Sequence, residues 1–522
     1  MESCVRDDSD IKKRLQIRMR TNHHMYLPTT IALLLTSCRV DVEVTKTGDS
    51  VVDAEALTIY GGQHNAINGQ AFQQDALKTF QGYQYVTWYD KKRQVCLGRR
   101  RLPDGKWEII RFSDYIFGVG DPNYRAHDAH NTISMGICPA DGTIHLAFDH
   151  HMQTMNYRVS SKGAATNPDK IKWTPELFGP VHSILDNGPL AGKLNPYGVV
   201  TYPRFIITPD DKLQLFYRAG DRRPPEVRVI HNYDPDTGKW SGPRPIIADN
   251  GYTNYHTRYG KDGLLHLMFH WRGSGCLCYL YTDDLGESWK DNDGKILLAA
   301  GDGKFISSTE VEDVTVVTAK EATHIMLGGQ YMDSKSRPHQ IVWHIPDHVE
   351  PVEHEDERAV WGRQESRYPP YWRDEQGSWH SNLLPSPVGN RAKIFLDADD
   401  NAYAIFMVNQ TDEWKFNIYF KKGDLVIATA SAKSKWSDWK LIHREPGPFL
   451  NQALFDDTRW ETDDVLSVLT QNSSDSDYTF APPDIPNRKA GDTPSGFHED
   501  LTIKRLTQPT PLRILDFKLD RK

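Results

Sequence analysis

The feature that most constrains this chain is a recurring strand. Seven segments share one pattern: an extended stretch, a turn rich in Asp, Gly or Asn, then an apolar run with an aromatic or aliphatic residue near its end. They are Tyr83–Asp90, Thr143–His150, Lys212–Arg218, Leu264–Trp271, His324–Tyr331, Ala402–Val408 and Val465–Gln471. Their spacing is roughly 50–80 residues, somewhat above the usual repeat of four-stranded blades. Helical periodicity is almost absent after residue 50, and short alternating apolar runs take its place. The expectation is an all-β chain, a seven-bladed β-propeller spanning residues 39–522, with each segment the second strand of its blade.

Two local signals agree. Thr282-Asp283-Asp284-Leu285-Gly286-Glu287-Ser288-Trp289 matches the Asp-box pattern found on turns of sialidase-like propeller blades. The segment from Thr510 to Lys518 reads as a closing strand, and the polar run from Asn472 to Ser495 as a long loop on the final blade. Aromatic residues make up 11% of the chain, which suits a strand-rich carbohydrate-active protein. The net charge of -8 gives no global basic field, so nucleic acid is not an expected partner. An acidic polymer could still bind a locally basic site.

The N-terminus carries an address. Residues 1–18 are polar and read as an upstream extension. The apolar stretch after Met25 is too short to span a membrane and suits a signal peptide. It ends in Leu35-Thr36-Ser37-Cys38, which resembles a bacterial lipobox. Residues 1–38 are therefore expected to be an extension plus a lipoprotein-type signal. The protein is expected to be exported as a monomer, secreted or held at the cell surface or in the periplasm, with membrane contact only through a lipid anchor at Cys38.

In an up-and-down blade, the start of the first strand and the end of the second lie on one face. His130-Asn131 opens the second blade, and its second strand ends at His150-His151. In the third blade the first strand carries Tyr202 and Arg204, and the second ends at Arg218. His130, His150, Tyr202 and Arg218 should thus converge. These side chains suit elimination from a uronic acid. The C5 proton becomes removable when an Arg fork neutralises the adjacent carboxylate. A neutral His can take the proton, and a Tyr hydroxyl can protonate the leaving glycosidic oxygen. A hydrolase would instead want two carboxylates, and these positions are poor in Asp and Glu.

His130-Asn131-Thr132, Phe148-Asp149-His150-His151, Thr201-Tyr202-Pro203-Arg204-Phe205 and Phe216-Tyr217-Arg218 resemble the BNR-type seven-bladed propeller ulvan lyases of polysaccharide lyase families 24 and 25. The short insertion between His150 and Tyr202 is more similar to family 25. The resemblance covers most of residues 50–522. It implies cleavage of ulvan, an acidic sulfated polysaccharide, between sulfated rhamnose and a uronic acid, leaving an unsaturated uronate. It also implies Arg218 as carboxylate neutraliser, Tyr202 as general acid and His130 as base, with His150 assisting or sharing that role. Two alternatives stay open. A propeller α-L-rhamnosidase would use a His near the start of the first blade, where His64 lies. A non-catalytic glycan-binding propeller would release no product.

Further residues are expected to touch the sugar chain. His64-Asn65 repeats the His-Asn pair of His130-Asn131. Trp271 shares the repeat register of His150 and Arg218, so it could stack on a sugar ring, with Arg272 beside it for a sulfate or carboxylate. A structural zinc ion is also expected. Cys276 and Cys278 are two apart on a strand and so face the same way. With His270 and His339 they would complete a tetrahedral set, His256 being the other choice for the fourth position.

Overall fold

The structure is a computed structural model that describes residues 42–58, 67–69, 75–117, 130–183, 185, 199–220, 226–249, 255–271, 276–307, 310–318, 325–346, 366–384, 389–410, 422–474 and 508–521. It is built from strands that follow one another as meanders. The leading strand β1 (Val42–Ala56) pairs with the end of the chain. A four-stranded sheet follows: β2 (Leu77–Phe80), β3 (Tyr83–Tyr89), β4 (Gln94–Arg101) and β5 (Glu108–Ile116). The second sheet holds β6 (Ile133–Ile137), β7 (Ile144–Phe148) and β9 (Tyr157–Val159), while β8 (His151–Thr154) crosses to the third. There it pairs with β10 (Val199–Ile207), which leads β11 (Leu213–Ala219), β12 (Glu226–Asp234), β13 (Lys239–Trp240) and β14 (Arg244–Asp249).

The fourth sheet contains β15 (Tyr255–Tyr259), β16 (Leu265–Trp271), β17 (Cys276–Thr282), β18 (Trp289–Lys290), β19 (Ile296–Leu298) and β20 (Thr315–Thr318). The fifth runs β21 (Met326–Met332), β22 (Pro338–Trp343), β23 (Pro370–Arg373) and β24 (Trp379–Ser381). The last sheet has seven strands: β25 (Lys393–Leu396), β26 (Ala402–Asn409), β27 (Gly423–Ala430), β28 (Lys440–Phe455), β29 (Val465–Asn472), β30 (Thr510–Arg521) and then β1. Its middle strand is shared. The first part of β28 pairs with β27 from Lys440 to Phe449, and the second part pairs with β29 from Phe449 to Phe455.

Strands such as β16 and β11 are buried along their whole length, because both faces of each sheet meet a neighbouring sheet. The apolar clusters follow chain order. One joins Leu97 and Phe112 of the first sheet to Met135 and Leu146 of the second. Others join the second to the third through Ala147 and Leu215, the third to the fourth through Phe216 and Phe269, and the fourth to the fifth through Met268 and Val342. A larger one links the fifth to the seven-stranded sheet. A last cluster brings Leu469 and Ile514 of that sheet back to Val86 and Trp88 of the first.

A buried carboxylate reinforces this return. Asp456 caps the helix Asp457–Asp463 by accepting the Arg459 N–H at 3.1 Å, and it also accepts from Thr79 N at 3.0 Å, Thr79 Oγ1 at 2.7 Å and Gln84 Nε2 at 2.9 Å. Thr79 lies on β2 and Gln84 on β3, so one side chain fastens the final strands to the first sheet.

The Asp box forms as its sequence requires. Asp284 Oδ1 accepts the Thr282 hydroxyl at 2.7 Å and the Ser288 N–H at 2.9 Å, and Trp289 is fully buried. Gly286 sits at φ +85, a conformation a side chain would disfavour. The closing strand is observed as β30. The expected second strands ending at Asp90, His150, Arg218, Trp271 and Val408 are seen as β3, β7, β11, β16 and β26, and the one ending at Gln471 is β29 inside the seven-stranded sheet. The exception is the segment ending at Tyr331, which is the first strand of its sheet, because the preceding β20 pairs with β17 of the fourth sheet.

Candidate active site

The site is assembled where β10 and β11 meet the start of the second sheet. Thr201 on β10 pairs with Arg218 on one side and with His151 on the other. Between Thr201 and Arg204 the β10–β11 register shifts, and Tyr202 adopts a left-handed φ of +57. That is strained for an aromatic residue, and more so before Pro203. The Tyr255 hydroxyl holds the distortion by donating to the Tyr202 carbonyl at 3.1 Å. The distortion breaks the side-chain alternation of the strand at Tyr202.

The Arg218 guanidinium lies over the Tyr202 ring, 5.1 Å from its centre. Arg218 is 1% exposed, and its Nη1 is 3.6 Å from the Glu226 carboxylate. The Tyr202 ring also faces His130 at 5.8 Å, and His130 stacks on His151 at 4.0 Å. His130 is half-buried whereas His151 is buried. A cation and an imidazole, from two neighbouring sheets, thus both neighbour one phenol ring.

His150 points elsewhere. Asp149 and Met152 both have left-handed φ, +60 and +59, so simple alternation fails through this turn. The Asn156 N–H donates to His150 Nε2 at 2.7 Å. A neutral imidazole that accepts at Nε2 carries its proton at Nδ1. Burial pulls the His150 pKa down to about 3, so the ring stays neutral. Neither nitrogen of that tautomer is a ready base. Asn131, expected to touch substrate, is fully buried instead. Its Nδ2 donates to Asp149 at 2.7 Å, and Asp149 also accepts the Tyr115 hydroxyl at 2.6 Å. Asn131 therefore braces the turn that carries the His pair.

Strands β10, β15 and β25 border a cavity of about 380 Å³, lined by Asp75, Arg204, His256, Lys393 and the helix residues Asp457 and Glu461 among others. Arg204 donates to His256 Nδ1 at 3.2 Å and pairs with Asp75 at 3.3 Å. Burial, and next Arg204, pull the Lys393 pKa down to about 7. Arg204 was visible in the sequence beside Tyr202. Lys393 carried no signal, because the strands that place it near Arg204 are far apart in the chain.

Several expected ligands are not brought together. Trp271 is 3% exposed and packs with Phe216, Tyr255 and Cys276 between two sheets, so it is filler there and not a stacking platform. The zinc set does not fit. Cys276 pairs with Trp271 and Cys278 with Phe269, while His270 pairs with Leu277. Directly paired residues share a face, so His270 points to the opposite face from both thiols. His339 opens β22, the second strand of its sheet, and so lies at the far end from the start of β17. It packs on Trp436 at 4.4 Å and has Asp333 3.5 Å away. Among the described residues no group of three or more His, Cys, Asp or Glu is arranged to hold a metal ion. His64, Asn65, Arg272 and Cys38 lie outside the described residues.

The profile of BNR repeat-containing family members matches residues 83–385. The chain belongs to the BNR repeat-containing family. Within it, this BNR chain is 30% identical over 318 residues to the long isoform of ulvan lyase from Alteromonas sp, a match covering 50% of the chain and 31% of that relative. It is 25% identical over 347 residues to the short isoform from Alteromonas sp. (strain LOR), covering 56% of the chain and 63% of that protein. The matched region thus spans about a third of the long relatives and under two thirds of the short one.

Two solved structures share the fold. Polysaccharide lyase Uly1 superposes with a TM-score of 0.62 at 18% identity, covering 91% of this BNR chain and all of that one. A PL25 ulvan lyase gives a TM-score of 0.55 at 13% identity, covering 81% and 93%.

Proposed function

We propose that this chain is a polysaccharide lyase that cleaves ulvan between sulfated rhamnose and a uronic acid by β-elimination. The observation that carries the reading is the cluster of Arg218, Tyr202 and His130, with 5.1 Å and 5.8 Å between neighbours. The Arg218 guanidinium forks the uronate carboxylate and stabilises the charge that develops as C5 loses its proton. His130, with its ring half-buried, takes that proton. The Tyr202 hydroxyl protonates the departing glycosidic oxygen, and the product keeps a C4–C5 double bond. Glu226 beside Arg218 holds the guanidinium in place when the site is empty.

Support comes from the relatives, whose names are ulvan lyase, and from the PL25 ulvan lyase solved with -[GlcA(1-4)Rha3S]- bound. The same reading takes the architecture as a seven-bladed propeller. The two pairings of β28 divide the seven-stranded sheet into two blades, and the apolar clusters run from sheet to sheet and back to the first. It also includes export, with Cys38 as lipid attachment point after the apolar stretch ending Leu35-Thr36-Ser37-Cys38. Mass spectrometry of the protein expressed in a Gram-negative host tests that part, an N-terminal Cys38 bearing an S-diacylglyceryl group and an N-acyl chain being expected.

The reaction is tested by incubating the protein with ulvan and following near-ultraviolet absorbance from the unsaturated uronate. A rise that Arg218→Ala and Tyr202→Phe abolish is expected. Free rhamnose without a rise would point to a rhamnosidase, and binding without product to a glycan-binding propeller.

A further inference from the structure

The cations lining the axial cavity are not evenly matched. Toward the helix, Lys78 pairs with Asp457 at 3.1 Å, and Arg258 pairs with Asp457 at 2.8 Å and with Glu461. Two cations there face two carboxylates. Arg204 and Lys393 lie near Asp75, which contacts Arg204 alone, and Asp457 also acts on Lys393 from beyond contact distance. Lys393 Nζ makes no hydrogen bond or ion pair among the described residues, although the side chain is only 8% exposed. A buried ammonium with no contacting counter-ion is costly, and its pKa is lowered by burial and next by Arg204 even though Asp75 and Asp457 oppose the shift.

A second observation concerns His256, which lines the same cavity and is 3% exposed. Arg204 can only donate, so His256 Nδ1 is the acceptor in their 3.2 Å contact. The proton of the neutral ring is then on Nε2. Nε2 is buried and has no partner among the described residues. One ammonium without a hydrogen bond among the described residues therefore borders the polar space beside a guanidinium, and an unmatched N–H is buried in the wall of that space.

We infer that the axial cavity is a binding site for a small tetrahedral oxyanion of the sulfate class, held by Lys393 Nζ and Arg204 against a wall that contains His256. The anion supplies the missing counter-charge and accepts from the ammonium. Arg218, Tyr202 and His130 do not line this cavity, and the site does not depend on the reaction proposed for them. Inorganic sulfate and a sulfate ester of a polysaccharide present the same chemistry.

The test uses the full chain. Thermal unfolding is followed in sodium sulfate and in sodium chloride at equal ionic strength. Sulfate stabilises many proteins by exclusion, so the informative quantity is the extra, saturable rise lost in Lys393→Met. A rise of a few degrees in the wild type, absent from the variant, is expected. An equal response in both proteins would overturn the site. Should Lys393→Met not fold, crystals of the wild type soaked in selenate decide: a selenium peak beside Lys393 and His256 supports the site, and an empty cavity overturns it. The sources separate in a competition. If a sulfated oligosaccharide displaces selenate from the cavity, the occupant is the ester. If selenate remains, it is the free ion. Both outcomes require selenate to have bound.

Discussion

The guanidinium of Arg218 lies 5.1 Å from the centre of the Tyr202 ring. The two residues come from paired strands, but only because Tyr202 leaves the β10–β11 register with φ +57. Charge neutralisation and proton donation are thereby placed side by side. Arg218→Lys keeps the charge and loses the fork. It should lower kcat/KM on ulvan by about 10²-fold, and Tyr202→Phe by about 10²–10⁴-fold. Initial rates of near-ultraviolet absorbance check both, with circular dichroism to confirm folding. Wild-type rates in Tyr202→Phe would remove the phenol from the mechanism.

The two histidines should separate. His130 carries the accessible ring, whereas His150 Nε2 is engaged by the Asn156 N–H at 2.7 Å. His130→Gln should lower kcat by about 10²–10⁴-fold. His150→Gln, whose amide oxygen can still accept from Asn156, should cost less than tenfold in kcat but should lower stability. Measuring kcat and urea midpoints for both variants checks this. The reverse order of activity losses would give the base role to His150.

Closure of the sheets should hinge on Asp456. Its carboxylate accepts four hydrogen bonds while fully buried. Asp456→Ala removes the acceptor and strands donors on β2 and β3, so a loss of about 3 kcal/mol is expected. Urea denaturation measures it, and a loss below about 1 kcal/mol would show that the apolar contacts between last and first sheets suffice.

Acid should destabilise the protein well before its carboxylates titrate. Burial pulls His145, His150 and His266 down to about 3 and His231 to about 4. Their folded pKa lies below the ordinary 6.5, so the unfolded chain binds more protons between these values. Stability from these rings is full above pH 6.5 and is lost as pH falls toward 3–4. At pH 5 each ring costs about 2 kcal/mol. Burial also raises Asp456 and Asp90, which pull the other way. Urea midpoints at pH 5 and pH 7.5 should differ strongly, and equal midpoints would contradict the burial of these rings.

Much of the architecture was legible because the repeat writes itself in turn residues and apolar runs, and the Asp box states its own hydrogen bonds. The fifth repeat was misplaced for a local reason. Gly328 lets β21 approach β25 so closely that an added Cβ would lie 2.2 Å from the Ala392 carbonyl oxygen, which marks an inner strand that its apolar pattern could not distinguish from a second one. The site was legible as a convergence of His, Tyr and Arg. Which His faces Tyr202 was not, since Asp149 and Met152 break alternation without glycine. The zinc set failed because cross-strand pairing, invisible in one sequence, puts His270 and the two thiols on opposite faces. The axial cluster escaped notice because its strands are joined only by the cyclic packing of the sheets.

Gly328 itself yields a stability test. Gly328→Ala must push β21 away from β25, and overpacking of this kind costs about 1–3 kcal/mol. Calorimetry or urea denaturation reads the change, and a neutral substitution would mean that the two inner strands are not so close.

The central claim is elimination, and the mass of the end product tests it most directly. Ulvan digested to completion by the wild-type chain should give oligosaccharides one water lighter than hydrolysis products, each absorbing in the near ultraviolet. Products of full hydrolytic mass, without that absorbance, would contradict the lyase reading of Arg218, Tyr202 and His130.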